Sequence, residues 1–470
     1  MTEPITIKKG VDVELDIESL AFGGMGVARL NDMVTFVKNA IPGQKVNARI
    51  TKKRSSYLEA RSLEVLHESP HFVEIKCEHF ADCGGCTFQN LDYEQQIAAK
   101  ETQVTDTFHR IGKFSDFHTN SIVGCDDVFH YRNKMEFTFS NMEYLPEDRK
   151  EEVPSDFVIG LHAPGRWDKI LNINVCHIQH PIANEILQTI KDLTGHLAPY
   201  NIREHQGLLR NVIIRVGFNT DEIMVNFVTS REEADTLLSI TETLVSKFPQ
   251  ITSVVNNITT RKAGVSTGEH QILLHGEETM LEKLGEYEFM ISADSFFQTN
   301  TKQAERLYEI VLEEAVLTGK EIVYDLFCGT GSISLFISKH AKMVYGFELA
   351  PSSIQDAMQN AARNNVKNTW FFPGDLKDIF NISQEVKDLE NPDVMIIDPP
   401  RAGLHPDTIS SILNKAPQRI IYVSCNPATQ ARDVELLCRE EYKLFKLRPV
   451  DMFPHTPHVE NIATLIREPK

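Results

Sequence analysis

The sequence predicts an α/β protein in three parts: an N-terminal β-barrel of the OB type, a mixed α+β central domain and a C-terminal Rossmann-like domain. The C-terminal part alternates short apolar segments with helical patterns, which is typical of an open parallel sheet. The N-terminal part has short alternating strands separated by glycine turns, and the central part mixes strands with amphipathic helices. We place the three domains at residues 1–66, 67–300 and 301–470.

Composition narrows the function classes that fit this chain of 470 residues. It has no apolar segment long enough to span a bilayer and no basic start followed by an apolar stretch, so we expect a cytoplasmic protein. We also expect a monomer. The net charge of −18 argues against a broadly basic surface, so a nucleic acid would have to bind a local basic patch.

The predicted N-terminal barrel carries such a patch. Its strands lie at 11–17, 34–37, 46–50 and 58–61, with glycine-containing turns at 22–26 and 42–43. A tyrosine stands beside four cations, which is typical of proteins that bind single strands: Arg49, Lys52, Lys53, Arg54 and Tyr57. A solvated basic hairpin fits these five residues equally well.

Three cysteines in the central region predict a metal centre. Cys77, Cys83 and Cys86 surround a Gly-Gly pair, which lets the backbone wrap closely around a compact inorganic group. A [4Fe–4S] cluster needs four thiolates, and Cys176 is the predicted fourth ligand, with Cys125 as its rival. Zinc is the competing metal, although its usual pattern has two Cys-x2-Cys or Cys/His pairs and only one such pair is present.

The C-terminal part predicts a cofactor site. A buried strand at 322–327 is followed by Cys-Gly-Thr-Gly and a helix, but the third glycine of a nicotinamide-binding loop is absent. Successive strand ends carry four acids, which are Asp325, Glu348, Asp375 and Asp398. Glu348 is placed to hold ribose hydroxyls and Asp375 to meet an adenine amino group. This series fits S-adenosylmethionine, although each acid alone could equally be a helix cap or a surface carboxylate.

Two further strand ends bring a thiol and a carboxylate together. The strands at 394–398 and 419–425 end in Asp-Pro-Pro-Arg and Ser-Cys-Asn-Pro, and the carboxyl ends of parallel strands form one crevice. Cys425 in that crevice could act as a nucleophile. Free cysteines are more often buried core residues, but the Asn-Pro after Cys425 predicts a turn that holds its thiol at the rim.

Together these residues resemble the RNA uridine-5 methyltransferase family, which makes 5-methyluridine in ribosomal or transfer RNA. The resemblance covers nearly the whole chain and rests on the four cysteines named above, Phe-Phe-Gln-Thr-Asn at 296–300, Asp-Leu-Phe-Cys-Gly-Thr-Gly at 325–331, Asp-Pro-Pro-Arg at 398–401, Ser-Cys-Asn-Pro at 424–427 and Met-Phe-Pro-His-Thr-Pro-His-Val-Glu at 452–460. One departure is Ser332, where several relatives have asparagine.

The resemblance implies a TRAM-type barrel, a Rossmann-like S-adenosylmethionine-dependent methyltransferase domain and an iron–sulfur cluster. It makes Cys425 the nucleophile and Glu460 the base. It makes Gln298, Phe327, Glu348, Asp375 and Asp398 the cofactor contacts. We hypothesise that Cys425 attacks uracil C6 and Glu460 removes the C5 proton, with Phe297 or Phe453 stacking on the extruded base.

The resemblance favours ribosomal RNA of the 23S class as substrate, because the barrel is commoner among those members, and leaves transfer RNA as the alternative. Six further cations could form an RNA-facing surface, although such residues are more often ordinary solvated charges: Arg132, Lys134, Arg166, Lys169, Arg210 and Arg215.

Three other functions compete with uridine methylation. An amino-group methyltransferase would carry an aromatic residue where Arg401 stands. A cytosine-5 RNA methyltransferase usually has a second cysteine just after the Asp-Pro strand end, and none lies in 398–405. A non-enzymatic iron–sulfur RNA-binding module would need none of the strand-end acids.

Overall fold

The N-terminal barrel is built as its alternating pattern predicts. The computed structural model describes residues 8–262, 267–439 and 441–468, so 1–7, 263–266, 440 and 469–470 of the predicted domains lie outside the described residues. Six strands form one sheet in the order β1-β5-β6-β4-β3-β2. They are β1 (Asp12–Asp16), β2 (Ser19–Leu20), β3 (Gly26–Leu30), β4 (Met33–Lys38), β5 (Lys45–Lys53) and β6 (Tyr57–His67). Alternate apolar residues of these strands, such as Val13 and Leu15, are buried in one core.

The segment after the cysteine loop packs on the C-terminal sheet. It forms α1 (Tyr93–Arg110), which Asp92 caps by accepting a hydrogen bond from the Glu94 backbone, and the short strand β7 (His118–Thr119). In the core, Val104 and Phe108 of α1 pack with residues of the C-terminal strands. The predicted central domain, residues 67–300, includes α1 and β7. In the structure these two elements pack with the C-terminal domain.

The central domain is mixed α+β, as predicted. A seven-stranded sheet has the order β10-β9-β8-β11-β12-β13-β14. Its elements in chain order are β8 (Lys134–Ser140), a 3₁₀ turn (Glu147–Arg149), β9 (Val158–His162), β10 (Ile170–Asn172), α2 (Pro181–Thr194), β11 (Leu209–Val216), β12 (Ile223–Thr229), α3 (Ala234–Lys247), β13 (Ile251–Ile258) and β14 (His270–Gly276). Apolar residues of both helices pack into one core with the sheet. A hairpin follows, formed by β15 (Thr279–Leu284) and β16 (Tyr287–Ser292).

The C-terminal domain contains the predicted Rossmann-like sheet. Eight strands have the order β19-β18-β17-β20-β21-β23-β22-β7. The elements are α4 (Thr301–Ala315), β17 (Ile322–Leu326), α5 (Ser332–Ser338), β18 (Met343–Glu348), α6 (Pro351–Arg363), β19 (Thr369–Pro373), α7 (Leu376–Ile382), α8 (Gln384–Lys387), β20 (Val394–Ile397), α9 (Pro406–Lys415), β21 (Arg419–Ser424), α10 (Pro427–Cys438), β22 (Tyr442–Val450) and β23 (Glu460–Arg467).

The direction of these strands positions the site. Strands β17 to β21 are parallel, and β23 runs antiparallel to β21 and β22. Two hydrophobic clusters, drawn from alternate residues of the same strands, bury the two faces of the sheet. The carboxyl ends of the parallel strands therefore share one edge with the amino end of β23. Among the described residues, none of the helices is both long and apolar enough to cross a membrane.

Candidate active site

Cys425 lies at the carboxyl edge of the sheet, between the end of β21 and the start of α10. Asn426 caps this helix by accepting a hydrogen bond from the Ala428 backbone, and Pro427 is its first residue. The Ser424 hydroxyl accepts a hydrogen bond from the Asn426 backbone (3.1 Å). These local bonds fix the turn and leave the thiol half-buried at the rim, where the Asn-Pro pattern predicts it.

Glu460 is brought to Cys425 by strand pairing. Strand β23 pairs antiparallel with β21, and the last pair of the register joins Ser424 to Asn461. Continuing that register by one residue places Cys425 opposite Glu460. The Glu460 side chain is only 6% exposed, so it is a core-facing carboxyl at the strand end and not a surface glutamate.

Asp398 and Arg401 complete the group. Asp398 directly follows β20, and its backbone N–H donates to the Leu326 carbonyl of β17 (3.3 Å). The Asn426 amide and the Thr429 hydroxyl both donate to the Arg401 carbonyl, which holds the Asp-Pro-Pro-Arg turn beside Cys425. The resemblance includes Arg401 in the Asp-Pro-Pro-Arg motif but gives it no role in the site. The sequence feature that points to a role for Arg401 is its position in the same strand-end turn as Asp398.

The environment of this site favours protonated groups. Burial raises the pKa of Cys425 above its ordinary value, the nearby Glu460 raises it further, and a hydrogen bond and positive charge from Arg401 oppose the increase. Burial raises the pKa of Glu460 well above its ordinary value, and Asp398 adds to this effect while Arg401 opposes it. The pKa of Asp398 is raised to about 7 by burial and by the charge of Asp325. Arg401 is thus the cation shared by a thiol and a carboxyl.

Phe327 and Glu348 meet at the glycine loop of the same edge. Phe327 has a positive φ of 66°, which turns the chain sharply after β17, and its backbone N–H donates to the Phe347 carbonyl (2.9 Å). The Glu348 carboxylate accepts hydrogen bonds from the Gly329 backbone (3.2 Å) and the Ala350 backbone (2.9 Å). These bonds orient the acid at the end of β18, beside the loop that a nucleoside would approach.

The remaining predicted cofactor residues have distinct surroundings. Gln298 is 8% exposed, and its backbone carbonyl accepts a hydrogen bond from the side-chain amide of Asn133 (2.9 Å). Asp375 caps α7 and pairs with the Lys377 ammonium (2.9 Å), which lowers the pKa of the carboxyl. Asp375 therefore has the helix-cap role that the sequence left open. Ser332 shares a hydrogen bond with the Tyr308 hydroxyl (2.9 Å), so its side chain already has a protein partner.

The four predicted cysteine ligands line one pocket in the central region. They are Cys77, Cys83, Cys86 and Cys176. Burial is the main cause that raises the pKa of each thiol, to about 11 for Cys83 and about 12 for Cys86, and the other thiols add to the increase for both. The rival Cys125 is absent from the pocket lining and contacts the Asp451 carbonyl (3.4 Å).

The spacing of these thiols does not suit a single ion. Among residues 8–262, 267–439 and 441–468 no group of three or more His, Cys, Asp or Glu side chains is placed to hold one metal ion. The pocket is nevertheless lined by four thiols and mostly apolar side chains, and its other polar side chains are those of His79, Gln89 and His177. A donor set of four sulfurs fits an iron–sulfur cluster, in which each thiolate binds a separate iron.

Several residues predicted to contact RNA are buried instead. Arg210 and Arg215 are 4% and 2% exposed, and their guanidinium groups donate to backbone carbonyls, so they cannot form part of an RNA-facing surface. Phe297 packs against Phe289 in the core, so it cannot stack on a base. Its neighbour Phe296 is 69% exposed.

Comparison with known proteins agrees with this arrangement. The tRNA (uracil-5-)-methyltransferase family model matches residues 179–468, which include every strand of the Rossmann-like sheet except β7. The chain belongs to this family. The TRAM domain model matches residues 8–63 of this methyltransferase, which confirms the nature of the N-terminal barrel. RNA is therefore its substrate class, and S-adenosylmethionine its methyl donor.

Relatives and a solved structure extend the similarity over the whole methyltransferase. It is 39% identical to an uncharacterized RNA methyltransferase of Chlorobaculum tepidum, over 99% of this chain and 98% of the relative. It is 41% identical to one of Porphyromonas gingivalis, over 96% and 99%. The crystal structure of Pyrococcus abyssi tRNA (uracil-54, C5)-methyltransferase with S-adenosyl-L-homocysteine superposes with a TM-score of 0.74 at 28% identity, covering 97% of this chain and 100% of that one.

Proposed function

We propose that the enzyme methylates uridine C5 in RNA through covalent addition of Cys425 to uracil C6. The observation that carries this proposal is the pairing register that sets Cys425 opposite Glu460 at the cofactor edge of the sheet. C5 chemistry needs both groups, because C5 becomes a nucleophile only after addition at C6, and the C5 proton must then leave. We expect the enzyme to act as a monomer in the cytoplasm.

Each residue of the site has a separate role in the proposed reaction. The Cys425 thiol loses its proton to solvent and its sulfur bonds to C6, while the C5=C6 electrons move to form an enolate. When bound, S-adenosylmethionine supplies the electrophilic methyl group that C5 takes up. Glu460 as a carboxylate accepts the C5 proton, the C5=C6 bond re-forms, and the sulfur leaves C6 as a thiolate. Arg401 stabilises the anionic forms of both side chains, and Asp398 orients the base or the cofactor.

We assign cofactor binding to the glycine-loop edge. Glu348 would hold the ribose hydroxyls of the bound cofactor, and Phe327, Gln298 and Asp398 would contact its other parts. We also assign Asp375 to the adenine amino group, although its carboxylate caps α7. The bonds from the Gly329 and Ala350 backbones support Glu348 in this role, since they fix its carboxylate before the ligand arrives.

The raised pKa of Cys425 predicts the pH dependence of its reactivity. Since the thiolate is the nucleophile and the pKa lies above its ordinary value, the reactive fraction rises by up to about tenfold per pH unit from pH 7 to 9. Iodoacetamide alkylation of the Cys425 peptide, followed by mass spectrometry, measures this directly. An Arg401→Met variant should react more slowly at each pH, because it removes the cation that lowers the pKa. A rate that stays flat above pH 7 would contradict the assignment.

We propose that Cys77, Cys83, Cys86 and Cys176 hold a [4Fe–4S] cluster. The shared four-thiol pocket supports a cluster, and zinc is the competing metal, whose usual pattern has two Cys-x2-Cys or Cys/His pairs where this chain has one. Anaerobically purified protein should contain iron and acid-labile sulfide and should show broad visible absorption. Cys83→Ser should lose this iron, whereas Cys125→Ser, a matched control outside the pocket, should keep it. Stoichiometric zinc without sulfide would refute the cluster.

The target RNA has two candidates. Ribosomal RNA is the expectation from the barrel, and transfer RNA is favoured by the similarity to the Pyrococcus abyssi enzyme. That enzyme aligns with 97% of this chain, so the barrel by itself does not separate the two. Mapping 5-methyluridine in RNA from a deletion strain tests the function. Loss from 23S ribosomal RNA supports the first substrate, loss from transfer RNA the second, and unchanged 5-methyluridine in both rejects uridine methylation.

A further inference from the structure

The loop between β22 and β23 carries the predicted base at its end. Val450, the last residue of β22, pairs with Glu460, the first residue of β23, and the connecting residues 451–459 reach toward α1. Asp451 is therefore adjacent to the strand pair that places Glu460. A displacement of Asp451 would be transmitted to Glu460 through one backbone pair.

Residues outside the loop donate hydrogen bonds to its backbone carbonyls. Each of the carbonyls from residue 451 to residue 455 accepts a hydrogen bond from elsewhere in the chain. The donors are Cys125 Sγ to Asp451 (3.4 Å), Asn300 Nδ2 to Met452 (3.0 Å), Lys100 Nζ to Phe453 (3.2 Å), Tyr131 Oη to Pro454 (3.0 Å), and the Thr87 and Phe88 backbones to His455 (2.7 and 3.0 Å). The conformation of this loop is thus imposed largely by its surroundings.

Lys100 is the centre of these contacts. It lies on α1 with its side chain 1% exposed, and its ammonium donates to Asp451 Oδ1 (2.7 Å) as well as to the Phe453 carbonyl. Tyr93, two turns earlier on the helix, donates to Asp451 Oδ2 (2.9 Å). A buried ion pair loses much of its attraction to desolvation, so its main effect is to fix one geometry.

A second contact from α1 holds the middle of the loop. The Gln96 amide accepts a hydrogen bond from the His455 backbone (2.9 Å) and contacts His455 Nδ1 (3.2 Å). His455 has a φ of 65°, a left-handed conformation that costs free energy in a non-glycine residue. The bonds from Gln96 and from the Phe88 segment oppose relaxation of this strain.

We propose that Lys100, together with Gln96, is a positioning residue that clamps loop 451–459 and thereby holds Glu460 against the C5 proton. The inference rests on the proposed base role of Glu460. Lys100 does not contact the reacting atoms; it acts through Asp451 and the strand pair between Val450 and Glu460. Release of the loop should therefore slow elimination more than addition.

The test uses a variant that removes both buried charges, Lys100→Met with Asp451→Asn. Turnover should fall by about 100-fold, the cost of a misplacement of roughly 1 Å, while affinity for S-adenosylhomocysteine is unchanged. The covalent RNA–protein adduct should accumulate on denaturing gels. Gln96→Leu leaves the ion pair intact and should show the same pattern more weakly, which provides a test if the double variant fails to fold. Val104→Ala, a buried change on the same helix, is the matched control and should show wild-type adduct.

The outcome separates this inference from the proposed function. Wild-type adduct levels in the folded Lys100 and Gln96 variants, whatever their turnover, would overturn the clamp. Glu460→Gln is run in parallel, since its failure to form an adduct would reject the base assignment itself. An adduct in Glu460→Gln without one in the Lys100 and Gln96 variants rejects only the inference drawn from α1.

Discussion

Replacing Cys425 with alanine is expected to lower methyl transfer by at least about 10⁴-fold, since loss of a covalent nucleophile removes the route through the C6 adduct. The thiol lies at the rim of the sheet and contributes little to the core, so the variant should fold. Its affinity for S-adenosylhomocysteine should remain close to that of the wild type. Radioactive methyl transfer to RNA and calorimetric titration measure the two quantities separately.

Two matched variants make this result interpretable. Cys438→Ala changes a half-buried cysteine at the far end of α10 and should retain full activity. Glu348→Ala should show the reverse pattern, with cofactor affinity weakened by about 10- to 100-fold through loss of charge-assisted hydrogen bonds. Substantial turnover by Cys425→Ala would reject the nucleophile assignment.

The sequence predicted the parts of the fold that depend on local pattern. Alternation marked the barrel strands, and polar residues after buried segments marked the carboxyl edge. The Asn426-Pro427 pair indicated a turn after Cys425, and the structure has the strand end and the start of α10 there, because turn preferences are properties of neighbouring residues. Cys425 and Asp398 could therefore be assigned to the carboxyl edge of the sheet from local sequence pattern alone.

What the sequence missed depends on non-local pairing. Only the resemblance connected Glu460 to Cys425, since an antiparallel register is set by contacts between distant segments. The position of α1 on the C-terminal sheet has the same cause, because β7 reaches that sheet by pairing with β22. Lys100 carried no signal at all: a lysine on an amphipathic helix is almost always solvated, and this one is buried against Asp451. The burial of Phe297 was missed because two adjacent aromatic residues give no periodicity that separates a buried ring from an exposed one.

Replacing Glu460 with glutamine is expected to lower turnover by about 10²- to 10⁴-fold, the usual contribution of a general base, and to trap the enzyme on RNA. Glutamine keeps the shape of the side chain but cannot accept the C5 proton. Addition of Cys425 and methylation of C5 can still proceed. Once C5 carries both a methyl group and its proton, the sulfur cannot leave C6 to restore the pyrimidine until that proton is removed.

The trapped species should therefore contain the methyl group. Label from S-adenosylmethionine should migrate with a protein–RNA band on a denaturing gel, and Cys425→Ala introduced into Glu460→Gln should abolish that band. Glu441→Gln alters a glutamate that pairs with Arg467 at the opposite end of the β22–β23 hairpin, so it should turn over normally without an adduct. An unmethylated adduct would locate the block before methyl transfer and assign Glu460 to an earlier step. Full activity of Glu460→Gln would mean that another group removes the proton, and Asp398, with its pKa raised to about 7, would be the next candidate.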